Sequence, residues 1–163
     1  MEFYVAVYAS KTDKLKGYLE PERGDLIEIS RKGYQHWTIY AGDGYVIHLV
    51  KDQHSDAGAT VKKEKLEDVA DNDEYRINNH LDDQYKPRPI EDILQEAENL
   101  VGREFPYNLL SSNCEHFVTL LRYGNPLSQQ VQLFGMTSHT ELYYLANAAL
   151  VFRILAMATY RKK

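Results

Sequence analysis

The stretch Tyr34 to Val50, YQHWTIYAGDGYVIHLV, decides how this chain folds. Trp37, Ile39 and Ala41 alternate with Thr38 and Tyr40, Gly42-Asp43-Gly44 marks a tight turn, and Tyr45 to Val50 resumes as a second apolar segment. Alternation at period two puts one side of a strand against a core, and glycine beside aspartate supplies the positive φ that a tight hairpin turn requires. The segment therefore reads as an antiparallel hairpin, and its register has two solutions. If Asp43 and Gly44 alone make the loop, Gly42 faces Tyr45, and His36 and His48 fall on opposite faces of the sheet. If Gly42, Asp43 and Gly44 form a three-residue loop with a glycine bulge, Ala41 faces Tyr45 and His48 pairs with Thr38. The two histidines then share one face as diagonal neighbours roughly 7 to 8 Å apart. The second register is expected.

Upstream, Asp25 to Ile29 (DLIEI) follows Gly24 as a strand follows a turn, and the amino-terminal MEFYVAVYAS reads as a short strand rather than a secretory signal, because no basic segment precedes its apolar run. Downstream, Lys51 to Ala59 is polar and turn-rich, and Thr60 to Lys65 has weak strand character. Asp71 to Glu74 is a loop and Asp82 to Pro89 is irregular. Pro89 opens a helix whose apolar positions Ile90, Ile93, Leu94, Ala97, Leu100 and Val101 recur at spacings of three and four until Gly102 ends it. A second helix begins near Ser112, where Ser112 and Glu115 match a capping box, and stops at Gly124 and Pro126. Strands and helices in this order give an α+β domain over residues 1–128, followed by a hydrophobic segment over 129–163.

A length of 163 residues with 44% apolar and 26% charged content suits one globular core. The net charge of −5 argues against a nucleic-acid partner. A single cysteine excludes an internal disulfide and favours a reducing compartment, the cytosol or the cytosolic face of a membrane. Leu142 to Tyr160 is mostly apolar and aromatic, interrupted by Asn147 and Arg153 and followed by Arg161, Lys162 and Lys163. An arginine in mid-bilayer costs about 2.5 to 3.5 kcal/mol, so a helix lying in the membrane interface is expected in preference to a clean span.

With Ser112 as N-cap, Cys114 falls at the second helical position, where free backbone N–H groups and the helix dipole favour a thiolate and a lowered pKa. Helical spacing puts it on the stripe of Phe117, Val118 and Leu121, pointing inward. An inward cysteine alone is an ordinary core residue, and a catalytic one needs a base. His116, two residues on, lies on the wrong side of the helix. The candidates are His36 and His48, each by itself an ordinary sheet residue. Together with Cys114 they make a set in which one imidazole takes the thiol proton and the other orients it. The same residues could hold zinc, but a structural site wants a fourth ligand that the sequence does not offer. His54, His80 and His139 are expected in solvent, without a role. Lys62, Lys63 and Lys65 either solvate a strand or meet anionic lipid.

Three blocks, GDLIEI at Gly24 to Ile29, YQHWTIYAGDGYVIHL at Tyr34 to Leu49 and NCEHFVTLLRYG at Asn113 to Gly124, closely resemble the phospholipase A/acyltransferase family, also called the H-Ras-like suppressor group and related to lecithin retinol acyltransferase. The resemblance implies a circularly permuted papain-like (NlpC-type) α+β fold, glycerophospholipid as acyl donor, and a thioester on Cys114 with His36 as general base and His48 as the orienting third member. It implies no metal and no organic cofactor. The acyl group would pass from the sn-1 or sn-2 ester to water, to an amine, as in N-acylation of phosphatidylethanolamine, or to a lysophospholipid. The family typically ends in a hydrophobic membrane segment, to which Leu142 to Tyr160 is similar. A monomer is expected. Two other readings stay open: a non-catalytic interaction protein, as certain viral proteins with the same His and Asn-Cys boxes are, and a cysteine peptidase or amidase.

Overall fold

The computed structural model describes residues 20–52, 58–106 and 113–129. The amino-terminal segment, His54, Ser112, His139 and the Leu142 to Tyr160 tail lie outside these residues. In chain order the elements are β1 (Leu26–Arg31), β2 (Tyr34–Gly42), β3 (Tyr45–Lys51), β4 (Gly58–Lys65), α1 (Leu66–Ala70), β5 (Tyr75–Ile77), α2 (Ile90–Leu100), β6 (Glu104–Pro106) and α3 (Cys114–Tyr123). The strands form one six-stranded antiparallel sheet in the order β5-β1-β2-β3-β4-β6, the α+β architecture expected. The short β5, β6 and α1 gave no periodic signal. Three residues cannot show alternation, and they pair only because longer strands offer an edge.

Strand parity sorts the core into two layers. Leu26, Trp37, Ile39, Ile47, Leu49 and Val61 point to one face and pack beneath Ile93, Leu94 and Ala97 of α2 and Phe117, Val118 and Leu121 of α3. Ile27, Ile29 and Val46 point to the other and are covered by Leu66 of α1. His36, Thr38 and Tyr40 belong to this second face by alternation along β2.

The hairpin register combines the two solutions. Asp43 and Gly44, with φ of 53° and 79°, close a two-residue loop, and Gly42 does pair with Tyr45. The register shifts between Tyr40 and Gly42, so Ala41 is a bulge, and beyond it Tyr40 pairs with Val46, Ile39 with Ile47 and Thr38 with His48. The expected partner of His48 is correct, while the extra residue sits beside the turn and not in it. The bulge inserts one residue into β2 and so shifts its alternation by one, which puts the strand beyond it in the register that sets His36 and His48 on one face.

β2 and β3 then part. β1 stays paired with β2 as far as Tyr34, and β3 with β4 as far as Lys51, but pairing between β2 and β3 stops at Thr38 and His48. Tyr40 exchanges backbone hydrogen bonds with the β1 side, through Asp25 O and Gly24 N at 2.8 Å each. The even-numbered residues of β2 thus turn their backbone polar groups to β1, and Gln35 and Trp37 turn theirs into the split.

Candidate active site

The amino terminus of α3 closes this split. Its N-cap is Asn113, not Ser112: Asn113 Oδ1 accepts from the backbone N–H of His116 at 3.0 Å, and His116 Nδ1 accepts from the backbone N–H of Asn113 at 3.3 Å. This reciprocal box replaces the expected Ser112/Glu115 pair and moves Cys114 to the first helical position. Glu115 is fully buried and accepts instead from Ser128 Oγ and from the backbone N–H of Gln129 at 2.8 Å. His116, dismissed as a base, is thus a capping residue, and burial holds it down to about 4.

Cys114 is 5% exposed, and its thiol donates to Gln35 O at 3.8 Å, on the strand edge that β3 has left. Burial pushes the thiol up to about 11, and the backbone of Trp37, Glu115 and Cys114 only partly offsets it. The lowered thiol expected from the helix start is therefore overturned. A buried sulfur loses more solvation as an anion than the backbone dipoles return.

His36 and His48 meet on the second face of the sheet. His36 Nε2 lies 2.7 Å from His48 Nδ1, with ring centroids 5.1 Å apart and planes at 72°. His48 Nε2 lies 2.7 Å from Glu64 Oε2. Burial, then His48, then Arg31 hold His36 down to about 3. Burial also lowers His48, although Glu64 opposes the shift. Glu64 went unnoticed in the sequence. Val46 pairs with Glu64 and His48 with Lys62, so Glu64 is a diagonal neighbour of His48, but the polar, turn-rich connection ahead of β4 is compatible with more than one register.

The structure brings the two imidazoles into contact and sets Cys114 against the backbone on either side of His36. It does not join the thiol to either ring by a hydrogen bond. Beside the rings opens a cavity of about 540 Å³, lined by Arg31, Tyr34, His36, Val50, Lys51 and Val69 among others. Tyr34 is 57% exposed at its edge.

His80 corrects a further expectation. Its side chain is buried, its ring centroid 4.8 Å from that of Trp37 and its Nε2 3.5 Å from Glu115 Oε1. A turn-rich sequence signals a surface path for the backbone, not the direction of one ring. Lys63 is held by Glu98 of α2 at 2.5 Å, and Lys65 stands 3.9 Å from Glu67.

The lecithin retinol acyltransferase family model matches residues 19–127, which takes in every described strand and helix. Phospholipase A and acyltransferase 2 of Homo sapiens is 50% identical over 148 residues, 83% of this chain and 91% of that protein. Phospholipase A and acyltransferase 4 of Homo sapiens is 50% identical over 125 residues, covering 69% and 76% of the two chains. Phospholipase A and acyltransferase 3 of Mus musculus is 52% identical over 125 residues, covering 69% and 77%. The chain belongs to the lecithin retinol acyltransferase family, within its phospholipase A and acyltransferase group.

Proposed function

We propose that this protein is a thiol-dependent phospholipid acyl hydrolase and acyltransferase, with Cys114 as nucleophile, His36 as general base and His48 as the group that orients it. One observation carries the reading: a paired imidazole system at 2.7 Å stands where the strands part, and the thiol at the start of α3 rests against the backbone flanking one of those imidazoles. The names of the relatives, phospholipase A and acyltransferase, agree with that chemistry. Strands that carry the base ahead of a helix that carries the nucleophile suit a permuted papain-like (NlpC-type) arrangement.

The reaction starts from a neutral thiol and a neutral imidazole, given the raised Cys114 and lowered His36. As the ester carbonyl of a glycerophospholipid approaches, the Sγ–H proton passes to His36 Nδ1, the nitrogen not engaged by His48, and Sγ bonds to the carbonyl carbon. The carbonyl electron pair moves onto oxygen, where backbone N–H groups at the start of α3 oppose the charge. Collapse breaks the carbon–oxygen bond of the ester, the leaving alkoxide takes the proton from imidazolium, and lysophospholipid departs. Water, an amine or a lysophospholipid then attacks the thioester with His36 again as base, releasing fatty acid or an acylated acceptor.

The membrane is the source of substrate, and the proposed attachment is the Leu142 to Tyr160 segment on a cytosolic surface. No helix among the described residues is long and apolar enough to cross a bilayer.

The test is intact-protein mass spectrometry after mixing with phosphatidylcholine vesicles, with Cys114→Ser as control. A hydroxylamine-sensitive acyl adduct on Cys114 alone is expected. Absence of the adduct, with no fatty acid released over hours, would favour the non-catalytic interaction protein; turnover of peptide amides in place of lipid would favour the peptidase.

A further inference from the structure

We infer that Glu64 is a positioning residue: its carboxylate dictates which nitrogen of each imidazole carries the proton and so leaves His36 Nδ1 bare. A carboxylate accepts hydrogen bonds, so His48 Nε2, 2.7 Å from Glu64 Oε2, carries the hydrogen. A neutral imidazole holds only one, which makes His48 Nδ1 an acceptor. His36 Nε2, 2.7 Å from that atom, must therefore donate, and the remaining nitrogen of His36 is left with a free lone pair. The burial that lowers both histidines keeps them neutral at physiological pH, which is the condition the argument needs.

Without Glu64 the pair is ambiguous. The hydrogen between the rings can equally belong to His48 Nδ1, with His36 Nε2 accepting, and His36 Nδ1 then carries a hydrogen and cannot take one from a thiol. Both arrangements make the same contact between the rings, so the pair alone gives little preference. Glu64 breaks that near-degeneracy from the far end of the relay. It also supplies the negative charge facing an imidazolium, against Lys62 on its own strand β4 and Arg31 on β1, both of which disfavour a cation at His48. Asp68 of α1 lines the same cavity.

The tautomer assignment stands on the two 2.7 Å contacts and on the burial that keeps both rings neutral, while its consequence for catalysis rests on the acyl-transfer reading above. The full chain with ¹⁵N-labelled histidine at neutral pH tests it through the ring nitrogen shifts. Wild type is expected to show His36 and His48 each protonated at Nε2. Glu64→Ala is expected to give averaged or inverted tautomers at both rings, with kcat on phosphatidylcholine down about 10- to 100-fold and KM little changed. Glu64→Gln keeps the shape but offers both an acceptor and a donor, so mixed tautomers are expected there too, which keeps the test open if the alanine variant fails to fold. A wild-type His36 protonated at Nδ1, or unchanged tautomers in the folded variants, would overturn the inference. A wild-type protein without lipid turnover whose tautomers still follow Glu64 would overturn the acyl-transfer reading and leave the assignment of Glu64 in place.

Discussion

Burial holds the Cys114 thiol up to about 11 and His36 down to about 3, so the resting pair at neutral pH is uncharged. A preformed thiolate–imidazolium pair would react with a neutral alkylating agent at a rate that levels off above acid pH. In this protein the rate of Cys114 alkylation by iodoacetamide is expected to climb through neutral and alkaline pH without levelling before about 11. A plateau between pH 5 and 8 would show that the thiolate already exists. The two imidazoles also differ in what they touch. His36→Asn is expected to lower kcat on phosphatidylcholine by about 10³-fold or more, whereas His48→Asn, which leaves the base in place but unoriented, retains a measurably larger residue. Equal losses would show that the roles are shared or reversed.

At the scale of the element, the reciprocal cap on α3 fixes where the thiol stands. Asn113 and His116 satisfy two backbone N–H groups between them, and Cys114 is the first residue of the helix they begin. Asn113→Ala is expected to destabilise the fold by about 1 kcal/mol, read as a lower denaturant midpoint, and to reduce activity further because the first turn no longer holds the sulfur against β2. The bulge at Ala41 has the same kind of importance in the sheet. It lets the Asp43-Gly44 turn form while Thr38 still faces His48, and so keeps both imidazoles on one face.

Across the whole molecule, histidines buried without charge make the fold sensitive to acid. His36 and His116 are depressed to about 3 and about 4 from an ordinary value of 6.5. An unfolded chain therefore takes up protons between pH 6.5 and these values that the folded chain refuses. The stability they contribute is present above 6.5, declines as pH falls, and is lost by the time the folded values are reached. Denaturant midpoints at pH 7, 5 and 4 should fall in that order, and His116→Asn should make the decline between pH 6.5 and 4 shallower if the variant folds. Removal of residues 142–163 is expected to spare activity on detergent-dispersed lipid and reduce it on vesicles; equal activity on both would remove the tail from the account.

The sequence by itself determined the elements whose signals are local. The β2–β3 hairpin shows in alternation around Gly42-Asp43-Gly44, α2 in apolar spacings of three and four behind Pro89, and α3 in its stop at Gly124, which adopts the left-handed φ of 75°. The pairing of His48 with Thr38 was legible for the same reason, since a tight turn leaves few registers. The tertiary structure alone decided whatever depends on residues distant in the chain. Glu64 reaches His48 through a strand whose preceding connection is compatible with more than one register, His80 turns inward onto Trp37 and Glu115, and the cap of α3 moves by one residue because Asn113 and His116 satisfy each other while Glu115 is drawn to Ser128 and Gln129. The state of the thiol belongs to the same class. A helix start favours a thiolate from within a few residues, but the desolvation that opposes it comes from the strands and helix packed around the sulfur, and their closeness is a property of the folded molecule.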